Sequence, residues 1–485
     1  MDFPIFHADI IGNRAIIAII ATLHVLINHG LAVGMMPLVA TMEWHGHKTG
    51  DRRWDVLGYK LLFFCFLITT TVGALTGVGI WLSASLVNPY AIGSLIRVFF
   101  WAWFTEWLVF ITEVCLIVAY FLTWKKWTEG TAKRRHIGLG IALAVFSWIT
   151  MAIIVSILGF MMDPGNWLTE RTLITGFTNP IYLPQLAFRT PLAMTMAGVI
   201  AAFLAIFFTK RNDAFRREAL RAINLWTLFW TPVTLAGGWW YASVVPGAMA
   251  ANIGTAALTM QFENWHHQFY MIIVGTIALV YVITQIAVLR PAWVPRAVYL
   301  VPLLAIVWLT GHFERVREFI RKPYVIGQYM YANGIRVTDY PLLQAEGILK
   351  YSAYSYPLTP AESAGVPAHQ RKDVQRGKDV FMIACSRCHT GVGVNSVIAH
   401  FNTLFGGNAW DRDALADYTT SMHDTRPYMP PFPGSKAELL ALSDYLIHLR
   451  KVGEAIPGAQ QNGVAVNPAD MTVKSAQGSN ATEQR

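Results

Sequence analysis

The sequence predicts an all-α protein, a polytopic membrane bundle of about eight helices followed by a small soluble helical domain. Two observations predict this. The 485 residues are 54% hydrophobic and only 14% charged, far more apolar than a soluble chain. The apolar residues also fall into runs of about 20 or more, the length a helix needs to cross a bilayer, and these runs stop near Glu318. One large soluble core would interrupt such runs with charges and turns.

Apolar periodicity places the spanning helices at 14–42, 57–84, 96–123, 137–162, 187–209, 222–246, 268–289 and 294–317. The loops between them alternate in charge. "HGHKTGDRRW", "WKKWTEGTAKRRH", "TKRNDAFRREALR" and "RPAWVPR" are basic, whereas "VVPGAMAANIGTAALTMQFENWHH" holds no Lys or Arg. Basic loops face the cytoplasm, so both termini are expected outside, in the bacterial case on the periplasmic face of the inner membrane. The net charge of +9 is then a topology signal, not a sign of nucleic-acid binding. "MDFPIFHADIIGNRA" is too polar and too weakly basic for a cleaved signal peptide, so the first helix is expected as a retained anchor. Cys65 and Cys115 lie in apolar runs and read as small packing residues.

Past the bundle (1–318), residues 319–365 read as a periplasmic linker rich in Tyr and Pro, 366–452 as a soluble domain, and 453–485 as a disordered tail with few large apolar residues. The soluble domain contains "ACSRCHT" (384–390). Cys385 and Cys388 can add across the vinyl groups of a haem, and His389 then meets the iron from one side. A chance match or half of a zinc site is the competing reading. The later "YMPPFPGSKAELLALSDYLIHLRK" offers Met429 in a Pro-rich loop before an amphipathic helix. Residues 370–451 resemble class I cytochrome c, with one covalent haem c and Met429 as second axial ligand. Met422 is the competing thioether.

Ionisable groups inside a bilayer are costly and therefore candidate sites. His24 lies in "TLHVLINHGLAVGMMPLVATMEW", near the outer end of the first helix, where it can bond a neighbouring carbonyl or ligate haem. Glu106 and Glu113 in "FTEWLVFITEVC" are seven apart and share a helix face. They are either a protonated pair bonded to backbone and water or a proton path. His29, five residues after His24, turns to another face. His7, His45 and His47 read as surface residues, and His266, His267 and His312 remain without an assigned role.

These residues carry a resemblance to subunit I of cytochrome bd quinol oxidases over much of 14–327. The helix-one His before "GLAVGM", the following "ME", "GALTGVGIW" and the helix-three carboxylates all match, as does "REFIRKPYVIG" (317–327). The resemblance implies that His24 and Glu318 are axial ligands of high-spin haems, so that two non-covalent b- or d-type haems sit near the outer surface. It implies catalytic proton delivery by Glu106 and Glu113, and a second membrane subunit. Where the family's low-spin haem takes a fifth-helix His, this chain has Arg189; at the matching Met position stands Ile273 or Met271. The long quinol-binding loop is also shrunk.

The expected function is a membrane haem oxidoreductase subunit of a respiratory chain. It would pass electrons between periplasmic carriers, its own haem c and the membrane haems, and reduce oxygen or a related diatomic. A membrane anchor and electron conduit within a larger complex, without chemistry of its own, is the alternative.

Overall fold

The structure is a computed structural model, and it describes residues 4–210, 213–257, 266–406 and 409–454. Nearly all of the expected tail at 453–485 lies outside the described residues. The chain divides into two compact units. One takes the described residues within 1–19, 81–93 and 322–485, the other those within 20–80 and 94–321.

Among the described residues, seven helices are long and apolar enough to cross a membrane. These are α1 (Asn13–Thr49), α2 (Arg52–Val87), α3 (Phe100–Thr123), α4 (Gly130–Met162), α5 (Tyr182–Phe208), α7 (His266–Leu289, apolar over Met271–Leu289) and α8 (Arg296–Ile320). The remaining expected segment, 222–246, falls in α6 (Ala214–Ser243). That helix is long enough to span, but "WTLFWTPVTLAGGWWYAS" dilutes its hydropathy with Trp, Thr and Gly.

The second unit is built on α5. Ala193, Ala197, Ala201 and Ala205 recur at four-residue spacing and are all fully buried, so they form one smooth face. Small residues let membrane helices approach closely, which is where their packing energy comes from. Gly34 of α1 shows how closely: a Cβ there would lie 2.0 Å from the Ala193 carbonyl oxygen. Gly237 of α6 meets the Ala187 carbonyl of α5 in the same way, at 2.3 Å. Two π turns interrupt the ladders of α1 and α2, at Asn28–Val33 and Thr69–Gly73. The first closes through Gly34 N–H to the His29 carbonyl, 2.9 Å, and π turns of this kind recur at functional sites.

The first unit centres on two crossed helices, α10 (Arg371–Ala384) and α13 (Lys436–Glu454). They cross at Gly377, where a Cβ would sit 2.0 Å from the Ala441 carbonyl oxygen. Between them come α11 (Val397–Phe405) and α12 (Arg412–Thr425). The segment expected as a linker is folded into the same core. It forms an antiparallel hairpin, β1 (Tyr324–Ile326) and β2 (Met330–Tyr331), and a short helix α9 (Tyr340–Glu346). Tyr331, Ile335, Tyr340 and Ile348 are buried with Phe381, Leu442 and Tyr445 in one cluster. Glu438, almost fully buried, fastens the two parts: it accepts from the N–H groups of Ile348, Leu349 and Ser435, each 2.9 Å.

Candidate functional site

In the first unit, α10 delivers the Cys-x-x-Cys-His loop at its C-terminus. The helix closes with Cys385 N–H to the Phe381 carbonyl at 2.9 Å, and the loop turns back through His389 N–H to the Cys385 carbonyl at 2.9 Å. His389 Nδ1 donates to the Asn395 carbonyl at 3.2 Å. That leaves Nε2 with its lone pair exposed to a metal, as a bound second nitrogen does for ligating histidines. Burial, with His400 beside it, pushes the His389 pKa down to about 3, so the ring is neutral and able to ligate. Asn395 adopts a left-handed φ of 58°, which Asn tolerates, and its amide also donates to the Cys388 carbonyl at 2.6 Å. Among the described residues no three His, Cys, Asp or Glu side chains gather to hold a bare ion.

The two residues between the cysteines are held from outside the loop. The Ser386 carbonyl accepts from His7 Nδ1 at 3.2 Å and from Asn13 Nδ2 at 3.4 Å. Arg387 is buried and donates to the carbonyls of Asn333 and Ile383; its burial pushes its pKa down to about 10. His7 is thus no surface residue: its side chain is 5% exposed, because the N-terminal segment lies against this loop. Met429 is half-buried in the Pro-rich loop, where its carbonyl accepts from His423 Nδ1 at 2.5 Å. Met422 is half-buried on α12.

In the second unit, His24 of α1 faces α2. Its Nδ1 lies 3.1 Å from Thr76 Oγ1. The Thr76 hydroxyl spends its one proton on the carbonyls of Val72 and Gly73, at 2.8 and 2.9 Å. It is therefore placed to accept from His24 Nδ1–H, an arrangement that would leave the Nε2 lone pair available. Gly77 leaves room for the ring: a Cβ there would lie 3.3 Å from His24 Cε1. The residues fit an iron ligand. Thr76 and Gly77 sit in the quoted "GALTGVGIW", yet only the paired geometry reveals their role.

Glu318 of α8 is paired with Arg321 one turn on, and its side chain is 40% exposed. One turn earlier stands Glu314, only 6% exposed. Glu314 accepts from Arg189 Nη2 of α5 at 3.0 Å and from Arg317 Nε at 2.9 Å. Arg189 in turn places Nη1 3.2 Å from His29 Nε2. Arg189 and His29 are both buried. His29 and His24 therefore do face different neighbours, and His24 and Glu314 both lie near enough to act on the charge of His29. Removing one member of such a buried pair costs roughly 3–5 kcal/mol.

Glu113 of α3 accepts from Ser147 Oγ at 2.7 Å and Thr150 Oγ1 at 3.2 Å of α4, and Glu106 lies within electrostatic reach of it. A further seven residues along α3, Tyr120 donates to Glu43 at 2.7 Å. Glu43 is fully buried and also bound by Lys133 Nζ at 2.7 Å and His136 Nδ1 at 2.5 Å. His136 Nε2 donates to the Tyr120 carbonyl at 3.0 Å. With both ring nitrogens facing acceptors, either His136 is doubly protonated or Glu43 carries the proton. The sequence hides this cluster because its members are far apart in the chain.

Other expectations resolve variously. Cys65 is buried, whereas Cys115 is exposed on α3. His45 packs edge-on against Trp54 at 4.9 Å, and His47 is exposed. His312 stacks on Trp308 at 5.7 Å. His266 and His267 open α7, their side chains lying outside the described residues. Met271 is 69% exposed and Ile273 half-buried.

Against known proteins, the family model for cytochrome bd terminal oxidase subunit I matches residues 13–266, and the chain belongs to that family. A second model, for subunit III of cbb3-type cytochrome c oxidase, matches residues 372–446. A solved bd oxidase structure from Geobacillus thermodenitrificans shares the fold. It has 16% identity and a TM-score of 0.55, and the match covers 66% of this chain and 88% of that one. No curated protein matches. The chain is thus a multi-pass bacterial membrane protein that joins a bd-type bundle to a cytochrome c domain, a haem-dependent oxidoreductase of respiratory electron transport.

Proposed function

We propose that this subunit takes electrons from soluble periplasmic carriers at its haem c domain and passes them to haems in the bundle, where oxygen or a related diatomic is reduced. The observation that carries this reading is Arg189. Where the resemblance calls for a histidine ligand to a low-spin haem, this chain has a guanidinium tied to Glu314 and His29. A guanidinium offers iron no lone pair, so another low-spin centre must feed the bundle. The Cys385, Cys388 and His389 loop, with Met429, supplies it within the same chain.

Bound at these positions, haem supplies one-electron chemistry and, where a single side chain ligates, an open iron position for a gas. The chain's own residues do the rest. Thr76 orients His24 so that Nε2 is presented. Glu318 supplies the second membrane ligand, and Glu106 and Glu113 hold protons on one face of α3. The exposed apolar side chains of α2 and α3, among them Leu75, Val78, Trp101 and Trp107, suit lipid or the second membrane subunit. The termini lie on the periplasmic side of the inner membrane, where covalent haem is attached.

Pyridine haemochrome analysis with carbon monoxide difference spectra tests this. The expected result is one covalent haem c and about two non-covalent haems per chain, with a carbon monoxide shift outside haem c. His24→Ala should remove one membrane haem and leave haem c intact. Haem c alone would end the reading. A full count without that shift would make the subunit a conduit and anchor.

A further inference from the structure

The Arg189 cluster holds more positive charge than its partners balance. Three guanidiniums meet there: Arg189 of α5 and Arg321 at the end of α8, both buried, and Arg317 one turn before it, 11% exposed. The carboxylates that face them are Glu314 and Glu318. One positive charge is left over among these partners. The hydrogen bonds tell the same story. Arg189 Nε, Arg317 Nη1 and Arg321 Nε are buried without an acceptor. Both polar atoms of the Gln185 amide are buried and unpartnered, and Gln185, itself fully buried, precedes Arg189 by one turn on the same face of α5. Two helices, α5 and α8, thus bring unused N–H groups to this cluster, on planar guanidinium forks whose geometry matches a carboxylate. Orphaned donors and an uncompensated charge in one buried place are what an anion site looks like before its anion is added.

We propose that Arg189 and Arg317 form a buried binding site for a carboxylate, either a propionate of a haem held in the bundle or a small free carboxylate. The propionate source rests on the function proposed above. The cluster stands one turn inward from both expected iron ligands, His24 with His29 on α1 and Glu318 with Glu314 on α8. A side chain that no longer ligates iron at the fifth-helix position would thereby still act on haem, through its charge.

Redox-difference infrared spectroscopy of the purified full chain tests this, with haem labelled by carbon-13 at its propionate carboxyls. In the wild type a labelled carboxylate band should report a group bonded to arginine. In Arg189→Gln that band should move to the position of a free carboxylate, and the midpoint potential of a membrane haem should fall as a positive charge is lost. Glu314→Gln removes a competing acid, so the potential should rise. A merely structural role would not give opposite signs. Arg189→Lys should restore most of the potential. In the second arm, carbon-13 formate added to the wild type should give a saturable bound band, absent from Arg189→Gln, if the occupant is a free carboxylate. If Arg189→Gln does not fold, Arg317→Gln is read in the same way. Labelled bands and potentials unmoved in variants that keep their haems, with no bound formate, would overturn the site. Wild type that carries only haem c would instead overturn the function above, and the formate arm would then decide the site.

Discussion

A thioether on haem iron favours the ferrous state, and that puts a sign on Met429. Replacing it with Ala leaves Cys385, Cys388 and His389 to hold the haem, so the pigment should stay covalently attached while its potential falls. The fall should be on the order of 0.1 V, well inside the range of about 0.8 V that axial ligands span. Redox titration of the haem c band checks this; an unmoved potential would transfer the role to Met422. Single residues differ in how plainly a sequence announces them. Cys-x-x-Cys-His states its chemistry in five letters, and an intramembrane His or Glu stands out against its cost. Thr76 and Glu314 do not. Thr76 matters because its hydroxyl proton is already committed to the backbone, and Glu314 because it meets an arginine 125 positions earlier in the chain. Neither fact has a local signature.

At the scale of elements, hydrophobic run length located the helices, since a bilayer imposes that length on any span. It could not locate the two π turns, where backbone register changes without any change in composition. Nor did it forecast which glycines carry contacts. Gly34 packs against the Ala193 and Ala197 face of α5, with the carbonyl of Ala193 2.0 Å from where a Cβ would lie. Backbone cannot step aside as a side-chain tip can. Gly34→Leu should therefore cost more than the roughly 1–3 kcal/mol of ordinary overpacking, and it should also disturb the π turn that seats His29. Thermal unfolding in detergent should show a lowered midpoint and loss of non-covalent haem. Gly138→Ala on α4, with open space around it, should be neutral or slightly stabilising. Equal effects from the two substitutions would mean that the α1–α5 contact is not where this helix pair is held.

For the whole molecule, composition separated the membrane bundle from the haem c region but not the parts that complete the latter. A stretch rich in Tyr and Pro reads as a linker because it lacks periodicity, yet Tyr331 and Tyr340 are buried in the cytochrome c core. His7 reads as a surface residue because its ring looks solvated, whereas His7 and Asn13 both donate to one carbonyl, that of Ser386. Val394 N–H returns the contact to the Ile10 carbonyl at 2.8 Å. The Cys-x-x-Cys-His loop is therefore held by a segment more than 370 residues away in the chain, and its rigidity depends on that segment. Each hydrogen bond of this kind contributes roughly 0.5–1.5 kcal/mol net. Removing both donors, as His7→Ala with Asn13→Ala, should raise local opening at 386–394 by about 5- to 150-fold. Amide exchange of the full-length haem-loaded protein reads this directly, and the increase should be confined to that loop while α10 and α13 stay protected. Exchange that rises throughout the domain would mean the segment holds the fold rather than the loop, and exchange that does not rise would mean the crossed helices alone keep the haem loop closed.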